Sequence, residues 1–392
     1  MNTNSKQRKL NFAVIGCGML ARSQHIPNIA KSDKATLHTC CDLSDDALAE
    51  CRDKHGALHI TKDYLAAIND PEVDAICLAT TEKVRLAPIE AAAAAGKPVY
   101  CEKPLARELD EMRRIQEVVH QAGIPFCVGH NRRSAPAMVD AHRIFRAHMT
   151  DPKPCLWRFK REASGLPSLT SSGVAGMSVR INDDWWSWKK WVFDKEQAPH
   201  GPMLFEMVHF TDLCNWFMGA EPEMVTAIES GMLNSGVVIS YKTGELATIM
   251  TCSNGTFGYP KELYEMFGNS GAVIVDHMLE VRTAAIEGAP DRMTYAMLGD
   301  KHPDIGTEGG FSGYWAKKQA ACAEAEKACD PSLIFTAEPD KGHAHAIDRF
   351  VDEINGTGPV VCGVDDAVLA TRVAFAAIKS AAEHRAVRME EV

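Results

Sequence analysis

The 392-residue sequence predicts an α/β protein in two parts: a doubly wound parallel sheet, then an α+β domain with a large, mostly antiparallel sheet. Three features carry that expectation. Short apolar runs alternate with longer helical stretches over the first third, the pattern of βαβ units with right-handed crossovers. A glycine-rich turn stands where the first run meets the first helix. In the second half, apolar runs follow one another across short turns, as hairpin-connected strands do.

Asn11–Ile15 is the first strand and stops at Gly16; Thr36–Cys41 stops at Asp42; Asp74–Ala79, Pro98–Cys101 and Pro125–Gly129 follow. Helices over Ala21–Ala30, Asp45–His55, Val84–Ala95 and Glu108–Ala122 fill the intervals. Lys153–Glu162 opens the second part as a strand, and Leu166–Pro199 reads as a long irregular insertion. Strands are expected at Met224–Ser230, Val237–Tyr241, Glu245–Cys252, Leu263–Phe267 and Ala272–Val275, with Gly268-Asn269-Ser270-Gly271 as a hairpin turn. Leu279–Pro339 is an excursion with a helix near Tyr314–Cys329, and Asp340–Asn355 and Asp365–Arg385 close the chain as two helices.

The glycine turn reads Gly16-Cys17-Gly18-Met19-Leu20-Ala21, which is G-x-G-x-x-A between a strand and a helix. The first glycine permits the tight turn, the second lets a pyrophosphate approach the backbone, and the small Ala21 lets helix pack on strand. Met19 and Leu20 open the helix, where free N–H groups face an anion. Asp42 ends the second strand, where a carboxylate accepts from a ribose 2′-hydroxyl and repels a 2′-phosphate. No arginine follows it, so the expected cofactor is NAD. Asp42 is also placed to cap the next helix.

Composition excludes other classes. Forty-two Lys and Arg against 52 Asp and Glu give a net charge of −10, a poor match to nucleic acid. No stretch approaches the ~20 apolar residues of a membrane helix. Met1–Leu10 is polar and basic, and the first nine residues read as a loose tail. The 13 cysteines are scattered without Cys-x-x-Cys, which fits free buried thiols in a reducing cytoplasm.

At the end of the strand Pro98–Cys101 stands Glu102-Lys103-Pro104. Lys-Pro disfavours helix at Lys103 and fixes an ammonium at the sheet edge where open α/β folds bind ligands. In order, Gly16-x-Gly18-x-x-Ala21, Asp42, Ala79-Thr80, Glu102-Lys103-Pro104 and Gly129-His130-Asn131-Arg132-Arg133 resemble the glucose–fructose oxidoreductase / inositol dehydrogenase / MocA family. The resemblance is close over the first ~150 residues and looser through Gly201–Gly219, Leu263–Asp276 and Lys341–Arg388. It implies a Rossmann domain over 10–150 and a substrate-binding and oligomerisation domain over 151–392, with C-terminal helices returning towards the first. It places the catalytic lysine at Lys103, set by Glu102 and Pro104, and puts Thr80, Glu102, Lys103 and Asn131 near the cofactor. The family's Thr-Pro-x-x-x-His stretch reads Thr80-Thr81-Glu82-Lys83-Val84-Arg85, so Arg85 stands in the place of a histidine.

The second catalytic element lies in Gly201–Asp212, where the frequent family pattern is Asp-x-x-x-His and this chain has Glu206-x-x-His209. Residues i and i+3 share a helix face, so the longer Glu206 reaches where the aspartate sits. Asp212 shares that face. The helix is apolar nearly all round, which buries two ionisable groups that need partners or a purpose. A second Glu-x-x-His, Glu117 to His120, and Gly342-His343-Ala344-His345 suggest metal by spacing alone; their placement argues against it, and no metal is expected. Arg161 lies on a strand that lines the substrate side in the family, and Trp185 belongs to a tryptophan cluster suited to a sugar-stacking wall or to an edge cover.

The resemblance implies an NAD-dependent oxidoreductase acting on a secondary hydroxyl of a sugar, cyclitol or glycoside, with C3 of a glucoside as the favoured carbon. Substrate contacts are expected from Lys103, Arg161, Trp185, Glu206 and His209. His209 accepts the hydroxyl proton, Lys103 polarises the oxygen and Glu206 orients the histidine or binds a neighbouring hydroxyl. A glycosidase or lyase that recycles NAD through a 3-keto sugar, a cofactor–cofactor oxidoreductase and a non-enzymatic sensor are the alternatives. A homo-oligomer, dimer or tetramer, is expected through the outer face of the antiparallel sheet.

Overall fold

A computed structural model describes residues 8–150, 174–185, 189–230, 233–255, 259–298, 305–330 and 338–392. It divides into two compact units, Met1–Ser134 with Gly342–Thr371, and Ala135–Lys341 with Arg372–Val392.

The first unit carries a six-stranded parallel sheet of order β3-β2-β1-β4-β5-β6. Its strands are β1 Leu10–Ile15, β2 Ala35–Cys41, β3 His59–Thr61, β4 Ala75–Leu78, β5 Val99–Cys101 and β6 Phe126–Val128. Parallel strands covered on both faces read as continuous apolar runs. Phe12, Val14, Ile76, Leu78 and Val99 are accordingly buried. The chain reverses direction across the sheet between β1 and β4, which opens a crevice at the strands' C-terminal ends. Three elements depart from expectation. The strand β3 and the helix Tyr64–Asn69 were not legible, because β3 has three residues and none is buried. The helix after the glycine turn begins as a π-turn over Ala21–His25 before Ile26–Lys31. The late segment is part of this unit: Val128 N–H donates to the Cys362 carbonyl at 2.9 Å, and Phe350 sits against Phe12 and Tyr100.

The second unit carries a nine-stranded sheet among the described residues, of order β14-β13-β12-β11-β7-β10-β9-β8-β17. The strands are β7 Ala175–Asn182, β8 Pro222–Ser230, β9 Asn234–Tyr241, β10 Leu246–Cys252, β11 Glu262–Gly268, β12 Gly271–Asp276, β13 Glu280–Ala284, β14 Arg292–Thr294 and β17 Val387–Arg388, with β15 Met297–Leu298 and β16 Glu338–Pro339 forming a separate pair. Only β7 with β10 is parallel. Asn269 and Ser270 both take positive φ, as a type I′ hairpin turn requires.

Three expectations about this unit are revised. The supposedly irregular stretch contains β7, the strand between β10 and β11, with Ala175, Met177, Val179 and Ile181 alternately buried. The excursion supplies β13 and β14 to the sheet edge and, within Ile305–Ala328, two helical stretches that meet at a kink at Gly310. The helix Pro136–Thr150, assigned to the first domain by a boundary at 150, buries Met138, Ile144 and Phe145 in the second unit's core. Conversely, the helix His343–Ile354 belongs to the first unit. The strand expected at Lys153–Glu162 lies outside the described residues.

Candidate active site

The first unit builds a cleft of about 1150 Å³ from the ends of β1, β2 and β4. Gly16, Gly18, Asp42 and Thr80 line it together. Gly16 has φ +89°, and a Cβ there would stand 2.7 Å from the Thr80 nitrogen. A Cβ on Gly18 would meet nothing within 4 Å, so the protein leaves that side open to a ligand. Asp42 is held by two backbone donors, Cys17 N–H at 2.7 Å and Ser44 N–H at 2.9 Å. The helix cap itself is Ser44, which accepts from Ala47 N–H. Thr80 Oγ1 is buried with no protein partner and lines the same cleft. An orphaned hydroxyl, an open glycine and a braced carboxylate fit a dinucleotide. Met19 and Leu20, both exposed, open the helix. Lys62, Tyr64 and Lys83 also line the cleft and escaped the sequence reading; Lys62 and Tyr64 lie just beyond the overlooked β3.

Gly16→Ala is expected to destabilise the fold by on the order of 1–3 kcal/mol, because it meets backbone at a left-handed φ. Thermal melts and an NAD titration check it. Unchanged melting and affinity would refute the packing argument.

Lys103 follows β5, and its peptide bond to Pro104 is cis. Glu102 is buried beside it. Its Oε1 lies 2.8 Å from His25 Nε2, and its Oε2 accepts from Lys103 N–H at 3.1 Å. Burial alone would raise the Glu102 carboxyl, but the His25 hydrogen bond and the charges of His25, Lys103 and Arg85 hold it at about 2. Gly129 makes room for it, since a Cβ there would stand 2.8 Å from Oε1. His25 was not legible as functional: it sits on the first helix, 77 residues from its partner. Arg85 is turned into the protein, where its guanidinium donates to the carbonyls of Thr80, Glu102, Lys103 and Pro104. Asn131 is buried in a short turn after β6.

In the second unit, Glu206 and His209 do not share one regular helix. The helix Gly201–Phe205 ends at Glu206, whose φ of −121° breaks it, and Val208–Met218 begins two residues later. The two are still tied, because His209 N–H donates to the Glu206 carbonyl at 3.2 Å. Both are buried, as is Asp212 one turn on. The Glu206 carboxylate pairs with the Lys189 ammonium, a partner that the sequence gave no reason to select.

Trp185 is no substrate wall. It is fully buried in the second core, with Lys261 near its ring and paired to Asp183. Arg161 lies outside the described residues. Nor is any helix among the described residues long and apolar enough to cross a membrane.

Comparison with known proteins follows the same two-part division. The oxidoreductase family with an NAD-binding Rossmann fold matches residues 10–130, and that family's C-terminal alpha/beta domain matches residues 177–389. The chain is 24% identical to a myo-inositol 2-dehydrogenase of Thermotoga maritima, covering 98% of this chain and 99% of that one. It is 22% identical to an inositol 2-dehydrogenase of Rhizobium meliloti, covering 96% and 98%. The structure of a scyllo-inositol dehydrogenase from Lactobacillus casei, with bound NAD(H) and scyllo-inositol, superposes with a TM-score of 0.68 at 18% identity and covers 98% of this chain and 100% of that one.

Proposed function

Because the chain belongs to the Gfo/Idh/MocA oxidoreductase family, with its NAD-binding Rossmann domain and C-terminal alpha/beta domain, we propose that it oxidises a secondary hydroxyl of a cyclitol, sugar or glycoside. One observation supports the chemistry most directly: Glu102, His25 and Arg85 fix the turn that carries Lys103 at the ligand-binding edge of the sheet. The inositol dehydrogenases among its relatives support the polyol class.

Bound NAD supplies the hydride acceptor. Gly18 leaves room for its pyrophosphate, Gly16 lets the turn pack against Thr80, and Asp42 accepts from its ribose. Lys103 donates to the reacting oxygen and stabilises the negative charge that develops there. His209 takes the hydroxyl proton at an imidazole nitrogen. Glu206, charged against Lys189, orients that imidazole or accepts from a neighbouring hydroxyl.

Absorbance of reduced nicotinamide is the test, with inositols, free hexoses, and O- and C-glucosides offered separately. Growth with one group is expected, and product analysis reads the carbon, C3 being expected among glucosides. Substrate consumed without nicotinamide reduction would replace this reading with internal recycling.

The chain is further proposed to be a homo-oligomer, a dimer or tetramer, through the outer face of the nine-stranded sheet. On that face Ile228 is 74% exposed and Met250 53%, and the register sets Gly236 between them. Val238, Leu246 and Phe267 are exposed on the same side. Ile228→Asp with Met250→Asp is expected to halve or quarter the mass seen in sedimentation. An unchanged mass would exclude this face.

A further inference from the structure

We propose that Arg85 is the positioning residue for the Lys103 ammonium, an inference that rests on the catalytic reading of Lys103. Arg85 is 2% exposed, between the short turn Glu82–Val84 and the helix Leu86–Ala94. One guanidinium nitrogen donates to the carbonyls of Glu102 and Pro104; the other donates to Thr80 at 3.0 Å and Lys103 at 3.4 Å. Three successive carbonyls of the turn are thus gathered on one planar cation and tied to the cleft residue Thr80. Neutral imidazole has one N–H donor and imidazolium two, and a lysine ammonium lacks the flat fork. The residue that stands in a histidine's place therefore does other work: it grips the catalytic turn from inside. Its charge also lies beside Glu102 and helps keep that carboxylate ionised.

Arg85→Met, Arg85→Lys and Lys103→Met would be compared for kcat, KM, NAD affinity by titration, and melting temperature. Loosening the turn misplaces the ammonium, so Arg85→Met is expected to lose about 10²-fold in kcat with NAD affinity largely kept. Arg85→Lys, which keeps the charge, is expected to recover part of that loss and remains the readable variant if methionine prevents folding. A loss wholly in NAD affinity, or a wild-type kcat in Arg85→Met, would overturn the proposal. Full turnover in Lys103→Met would instead overturn the catalytic reading beneath it.

Three thiols converge beneath the glycine turn: Cys17 from the turn itself, Cys40 from β2 and Cys51 from the helix Asp45–His55. Their sulfurs all lie within 4.8 Å of one another, and all three side chains are buried. Ligands about 2.3 Å from one ion in a trigonal plane stand about 4 Å apart, so small shifts close this set around a single ion. The geometry points to a site for a soft, thiophilic metal ion of the zinc or cadmium kind, bound as the thiols release their protons to solvent. Cys17 also donates its N–H to Asp42, so an ion drawing on this residue competes with the shape that NAD requires.

Cadmium chloride titrated into NAD-free protein, kept reduced by a phosphine, reads the site through thiolate-to-metal absorbance. One equivalent is expected to bind and to weaken NAD about tenfold, reversibly with a chelator. Cys51→Ser, or Cys51→Ala, is expected to abolish both effects with basal turnover unchanged, whereas Cys329→Ser, at an exposed thiol, leaves them. Absorbance indifferent to both Cys51 variants would overturn the site.

Discussion

Lys103→Met is expected to lower kcat by about 10²–10³-fold, the usual cost of removing one preorganised donor to a developing oxyanion. Methionine keeps the length and flexibility of the stem and removes only the charge and its donors. The turn itself is held by groups that the substitution leaves in place: Glu102 accepts from the backbone N–H of residue 103, and Arg85 grips the carbonyls. The fold and the cleft of Gly16, Gly18, Asp42 and Thr80 are therefore expected to survive, and NAD affinity with them. Steady-state reduction of nicotinamide against a parallel NAD titration separates chemistry from binding. His209→Ala is expected to lose ~10²–10⁴-fold by removing general-base catalysis. Full turnover in both variants would remove the assignment.

Removing His25 is expected to be the most destabilising single change near the site. His25→Ala leaves Oε1 of the buried Glu102 carboxylate without its partner while Oε2 keeps the Lys103 N–H, and breaking a buried pair in this way costs about 3–5 kcal/mol. Acid carries a related signature. The Glu102 carboxyl stands at about 2 in the folded chain against an ordinary 4.5. A group depressed by folding stabilises the protein above its unfolded value. That contribution is lost as pH falls through the folded value, and here it is worth roughly 3 kcal/mol. Denaturant midpoints are expected to hold above pH 5 and fall between about pH 4.5 and 2. The share of that fall due to this group is expected to be missing in Glu102→Gln. An identical acid profile in wild type and Glu102→Gln would show that the pair contributes no linkage.

Strands buried on both faces announced themselves: β1, β2, β4, β5 and β6 were legible within a residue or two because a parallel sheet between helices needs apolar runs. The strand β7 was hidden because its buried positions alternate with Gly176, Ser178, Arg180 and Asn182, and a short alternating run beside glycines and serines resembles a loop. Trp185 misled for a related reason, since an aromatic residue's identity does not tell a core from a wall. The glycine turn and Asp42 were readable because their chemistry is local. The clamp of Arg85 and the pair of His25 with Glu102 were not, because they join residues 17 to 77 positions apart. The Glu206–His209 spacing was legible, and the break between their helices was not.

The nucleotide-binding unit is assembled from two separated stretches of chain, and its second stretch, Gly342–Thr371, leaves the ribosome long after its first. At ~5–20 residues per second, the nascent sheet waits on the order of 10–40 seconds for Cys362 to meet Val128 and for Phe350 to cover Phe12. During that interval the edge strand β6 and an apolar face stand uncovered while Ala135–Lys341 of the second unit is translated. Vectorial, first-domain-first folding is therefore closed to this protein. A fragment ending at Ser134 would be a holdase client rather than a portable nucleotide-binding module, and biosynthesis succeeds only as an event of the whole chain.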